Sequence, residues 1–258
     1  MICRQLMSLV RLSLLDLYRR KDLFVLLVLS LVLLVPLAQL EPFGEAGAGR
    51  YMSETAMLLI WVFSFAVTLG AASRLFPPEF ESRTIYPLLA KPVSRGTVLL
   101  GKYFGALLTV FSALAVFYFL YALVHGLQGG DSFSPILLQG FVLHCGFVAL
   151  VAAMVLLGSL VLTPSANLTI ATIVVAGMFL FGRRLPEYAA SRQGPASWLT
   201  GGIHAVAPHV EFFDMRQRIV HGWDMIPWHV CGLAVLYAVC YAAVCLWLAW
   251  LALRRRKL

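Results

Sequence analysis

The sequence predicts an all-α membrane protein: six transmembrane helices, an N-terminal amphipathic helix in the membrane interface, a short cytoplasmic helix and a short outer helix before the last span. Three observations predict it. First, of 258 residues 61% are hydrophobic and only 12% charged, about half the charge of an average soluble domain. A soluble core of this length could not hide so much apolar surface, so lipid is the solvent for much of the chain. Second, six apolar runs approach or exceed the ~20 residues that cross a hydrocarbon core. Third, the basic residues sit at the ends of those runs and mostly on one side.

The runs are Leu23–Leu40, Ala56–Ala72, Val98–Val124, Ile136–Leu162, Ala166–Gly182 and Ile226–Leu253. Thr163, Pro164 and Ser165 alone separate the fourth from the fifth, a tight turn at one membrane face. Little chain is left over, so residues 1–258 read as a single transmembrane domain. With six spans both termini share a side. That side carries Arg4 to Lys21, the Arg74–Lys102 region, the tail from Arg254 to Lys257, and every lysine. The excess of Lys and Arg makes it cytoplasmic.

Residues 4–21 precede the first span. Leu6, Leu9, Val10, Leu14 and Leu17 gather near one helical face, and Arg4, Ser8, Arg11 and Arg19 near another. Asp16 stands three and four residues before Arg19 and Arg20, a stabilising helical spacing. The pattern predicts an amphipathic helix in the inner interface with its arginines toward anionic lipid. Cationic residues spread this far before the first apolar run, with no small-residue cleavage site after it, do not read as a cleavable signal.

The outer segment 183–225 ends in Pro208-His-Val-Glu-Phe-Phe-Asp-Met-Arg-Gln-Arg-Ile-Val-His-Gly222. Acid early, base late and a closing glycine predict one short amphipathic helix with Phe212, Met215 and Ile219 on a shared face. Chemistry is sparse elsewhere. Gly96 to Lys102 matches GxxxxGK, but Tyr103 replaces the Ser or Thr that would hold magnesium, and no strand precedes it. The chain is therefore expected to carry no nucleotide site of its own. None of the 12 acidic residues falls inside a span, unlike most ion-coupled transporters.

His125 and His144 lie in spans, where a polar contact between helices is the simplest role. His204, His209, His221 and His229 match no compact metal motif. The 5 cysteines show no CxxC pair and read as apolar packing. The net charge of +8 lies at span ends rather than on a soluble face, which argues against nucleic acid as a partner. No catalytic residue and no metal ligand is expected. The alternatives are an ion-coupled secondary transporter and a membrane-embedded metal or haem redox protein.

The segment between the second and third spans is the informative one. Pro77 and Pro78 can start a helix, Glu79 and Glu81 suit its first turn, Leu88 and Leu89 give an apolar edge, and Pro92 ends it. A short rigid helix with both charge signs and an apolar edge is fit for docking a partner. The run Glu79-x-Glu81-x-Arg83-Thr84-x-x-x-Leu88-Leu89-x-Lys91-Pro92-x-Ser94-Arg95, followed by Gly101-Lys102, resembles the signature of type-2 ABC exporter permeases. It is most similar to the branch of gliding-motility permeases and the permease for nitrous-oxide reductase maturation. Pro208…Glu211-Phe-Phe-Asp214-x-Arg216…Val220-His221-Gly222 resembles the outer helix of the same branch. The double proline departs from that pattern and leaves the helix start open.

The resemblance implies a permease subunit in the cell (inner) membrane, working as a homodimer with two copies of a separate ATPase. ATP and magnesium would belong to that partner, with no cofactor in this chain. Residues 74–97 would form the coupling segment. Glu79, Glu81, Arg83, Thr84, Leu88, Leu89, Lys91, Pro92, Ser94 and Arg95 would carry the docking.

Overall fold

The computed structural model describes residues 45–81, 94–127, 134–185, 187 and 195–255, together with positions 7, 8, 10, 11 and 28. The predicted interfacial helix (4–21) and first span (Leu23–Leu40) lie outside the described residues apart from those isolated positions. Every described element is helical. In chain order they are α1 (Glu45–Ser73), α2 (Pro77–Glu81), α3 (Arg95–Leu127), α4 (Pro135–Val161), α5 (Pro164–Phe181), α6 (Pro195–Val206), a 3-10 turn (Val210–Phe213), α7 (Arg216–His221) and α8 (Trp228–Arg255). Five are long and apolar enough to span a membrane: Arg50–Ser73 within α1, and all of α3, α4, α5 and α8.

The bundle is built around α4, which touches α1, α3, α5, α7, α8 and the 3-10 turn. Its sequence explains the position. The helix is apolar on all sides, and such a helix belongs inside. Val148, Leu150, Val151, Ala153, Val155 and Leu156 are fully buried. Pro135 sits at the first position, where its missing N–H costs nothing. α5 and α8 instead leave most of their surface on the outside of the chain.

Leu162 and Thr163 join α4 to α5. Thr163 caps α5 by accepting a hydrogen bond from the Ala166 amide, and Pro164 opens the helix. Asn167, one turn in, donates from Nδ2 to the Val155 carbonyl at 2.9 Å. It lies so close to α4 that only Gly158 fits opposite. A Cβ at position 158 would meet Asn167 Oδ1 at 2.0 Å.

The outer segment departs from expectation. A continuous helix from Pro208 to Gly222 is replaced by the 3-10 turn and α7, with a break at Asp214 and Met215. The cause is local. Asp214 Oδ1 takes the Arg216 amide at 3.1 Å, and such side-chain bonds compete with helical ones. The break rotates the faces. Phe213 and Met215 are buried, while Phe212 stays 55% exposed instead of joining Met215 and Ile219. Gly222 closes α7 with φ +61°, and Trp223 N–H returns to the Arg218 carbonyl at 3.0 Å. α6 was not foreseen; Gly201 and Gly202 inside it argue against a helix on propensity.

The Gly158–Asn167 fit is directly testable. Gly158→Ala should lower thermal stability by ~1–3 kcal/mol through overpacking, measured as melting in detergent. Adding Asn167→Ala to Gly158→Ala should cost less than the sum of the single changes, because the clash has gone.

Candidate functional site

Among the described residues, the charged side chains of this apolar bundle lie toward its two ends. One end collects Arg74, Arg95, Lys102, Arg254 and Arg255 and is called the basic end here. There α1 stops at Ser73, and the chain turns through Leu75 and Phe76 into α2. The Pro77-Pro78 pair starts α2, with Pro77 first, so the double proline opens the helix. Phe76 is fully buried and stacks on Phe80, one turn later, at 6.0 Å.

Lys102 fixes this corner from α3. Its side chain is buried, and Nζ donates to the Leu75 carbonyl. The same ammonium lies 4.7 Å from the Phe76 ring centroid, a cation–π contact. A lysine this deep in an apolar bundle requires such partners, because an unsatisfied buried ammonium is costly.

Where the chain returns, Ser94 caps α3. Its Oγ accepts from the Thr97 amide at 3.1 Å and bonds Thr97 Oγ1 at 2.7 Å. Arg95 reaches across to the last turn of α8 and donates from Nη1 to the Leu253 and Arg254 carbonyls at 2.8 and 3.2 Å. Near the C-terminal end of a helix carbonyls run short of partners within it, and a cation suits that end of the dipole. The Arg254 guanidinium lies 5.5 Å from the Trp250 ring centroid on the same helix.

Of the predicted docking residues, Glu79 and Glu81 therefore lie in α2, and Ser94 and Arg95 at the start of α3. Arg83, Thr84, Leu88, Leu89, Lys91 and Pro92 lie outside the described residues. Phe76 and Phe80 were missed, although two aromatics four apart around a helix start are a readable pattern. The reach of Arg95 to α8 carries no local signal, because its partner is 158 residues away.

The opposite end is closed by the outer segment. Phe213 packs on Gly146, and Ile219 reaches Gly140. Asp214 holds Arg216 through Nε–Oδ1 at 3.0 Å and Nη2–Oδ2 at 3.2 Å. The Arg216 guanidinium then lies 4.7 Å from the Phe179 ring centroid and 5.5 Å from that of Trp61. Trp61 stacks in turn on His144 at 4.5 Å. His144 is fully buried, bonded through Nε2 to Ser64 Oγ at 2.7 Å and through Nδ1 to Tyr118 OH at 3.3 Å. It is a polar contact joining α1, α3 and α4. Gln139 adds a paired link, donating to the Ile226 carbonyl at 2.6 Å and accepting from its amide at 3.2 Å.

The remaining histidines form no single group. His125 stacks on Tyr121, His221 bonds the Gln217 carbonyl, and His229 is exposed. His204 and His209 lie side by side with ring centroids 4.4 Å apart, and His209 Nδ1 stands 3.4 Å from Glu211 Oε1. Among the described residues no three His, Cys, Asp or Glu side chains are grouped to hold a metal ion.

Compared with known families, residues 44–258 match the model of the ABC-2 family transporter protein. The chain belongs to the ABC-2 transporter family. The match takes in all five described spans, the basic-end corner and the outer segment. No curated protein matched the chain. Membership makes this a multi-pass membrane subunit of an ABC transporter, and the polar ends just described are those of an ABC-2 bundle.

The tie between α3 and α8 has a measurable consequence. Arg95→Ala should raise amide exchange in the last turn of α8 about fivefold, the equivalent of ~1 kcal/mol. Arg95→Lys should recover only part of it, because one ammonium replaces a planar fork. Hydrogen–deuterium exchange resolved by peptide checks both.

Proposed function

We propose that this chain is the permease subunit of an ATP-driven exporter, closest in its motifs to the gliding-motility and nitrous-oxide reductase maturation branch. A separate ATPase docks on the coupling segment 74–97 and moves the bundle. The observation that carries the proposal is that both ends of this segment are fastened to different spans. Lys102 of α3 holds Leu75 at the end of α1, and Arg95 holds the end of α8. A push on the segment is thereby passed to α1, α3 and α8 together.

The basic end faces the cytoplasm, because it collects most of the Lys and Arg near span ends. Both termini lie on that side. Two permeases and two ATPases assemble, with ATP and magnesium bound by the ATPases. Glu79, Glu81, Arg83, Thr84, Leu88, Leu89, Lys91 and Pro92 meet the motor. Ser94 and Arg95 anchor the segment to the bundle.

The mechanism is mechanical. ATP draws the motor subunits together, each coupling segment moves as a lever, and packed helices shift between two discrete arrangements. This chain supplies differential contacts and no bond-breaking chemistry.

Glu81→Arg tests docking. Charge reversal at a contact costs association heavily, so co-purification with the ATPase and transport should both fall about tenfold, with membrane insertion unchanged. Undiminished association would count against docking at α2. Finding the segment on the exterior in a labelling experiment would overturn the orientation.

A further inference from the structure

α5 and α8 both lean on α4 but barely touch each other. The crevice between them has a volume of about 640 Å³. Each wall is a stripe at i, i+3, i+4 and i+7, beginning at Met154 on α4, Asn167 on α5 and Leu248 on α8. Small residues keep two walls low, Ala171 on α5 and Ala252 on α8, while Gly158 lets Asn167 pack against α4. The bond from Asn167 to Val155 pins the floor. The α8 stripe ends at Arg255, the one charged residue among the described residues of the lining.

A second cavity of about 620 Å³ shares Met154 and Val174 with the first and extends it to Tyr241 and Pro208. From Arg255 to Tyr241 the slot follows α8 for about 20 Å. The hydrocarbon of one leaflet is about 15 Å deep, so a whole acyl chain fits along it. Arg254 turns to Trp250, whereas Arg255 is exposed and has no hydrogen-bond or ion-pair partner among the described residues. An arginine at the end of a span places its guanidinium at headgroup level.

We propose that this crevice is a binding site for one anionic phospholipid, with an acyl chain along the slot and the phosphate paired with Arg255. An apolar rod with a single anionic end is the occupant that an aliphatic slot with one cation at its mouth selects. The site does not depend on ATPase coupling or on which face of the membrane the basic end occupies.

Melting of the full-length chain in neutral detergent, with added dioleoyl phosphatidylglycerol or dioleoyl phosphatidylcholine, tests it. Phosphatidylglycerol should raise Tm about 5 °C more than phosphatidylcholine, as expected for a ligand near saturation. Native mass spectrometry should find one such lipid retained. Arg255→Gln should abolish the difference, and Ala252→Phe, which fills the slot, should do the same. Arg256→Gln removes an equal charge one residue on and should preserve the preference. Should Ala252→Phe fail to fold, the exposed Arg255 still provides the test. Equal effects of the two lipids would overturn the proposal. So would equal losses in Arg255→Gln and Arg256→Gln, which would mark diffuse surface charge. A copy-to-copy disulfide formed by Ala252→Cys in native membranes, absent from the wild type, would show a second copy in the slot and overturn it as well.

Discussion

A backbone carbonyl at the end of a membrane helix has neither a partner in its own helix nor, at depth, water to replace one. In this bundle side chains from other spans supply part of what is missing. Lys102 takes the Leu75 carbonyl and Arg95 those of Leu253 and Arg254. Asn167 and Tyr103 add bonds to Val155 and Ala149 in mid-helix. Lipid gives helices little hydrophobic reason to associate with one another, so directional bonds of this kind, set on close packing around α4, fix which span neighbours which.

That logic explains how much of the fold was legible. The described spans follow from hydropathy because their length is dictated by the membrane. Their limits shift where helices run on past it. α1 begins at Glu45 rather than near Ala56, since Arg50 and Glu54 interrupt the apolar run without interrupting the helix. The central place of α4 was less legible: apolar residues on every face suit burial, but lipid-facing spans are also rich in them. The outer segment misled for a physical reason. Its charges ordered themselves as a helix would, yet Asp214 bonded the backbone ahead of it and broke the run.

The candidate site divides the same way. Ser94 as a cap and the helix opened by Pro77-Pro78 are local events, and local chemistry can be read from neighbouring residues. The grip of Arg95 on α8 and of Lys102 on the end of α1 joins residues far apart in sequence. A single sequence has no signal for such a pairing. It required the fold. Equally, Asp214 and Arg216 read only as the early acid and late base of a helix, whereas the guanidinium is seated on Trp61 and Phe179 above His144.

That seat has an architectural consequence. The guanidinium, two aromatic rings and an imidazole form a plug joining α1, α4, α5 and the outer segment, and the Tyr118 bond to His144 adds α3. Rings and ions packed this way cannot slide without losing several contacts at once. A change at any one member of the plug is therefore felt by several helices at once.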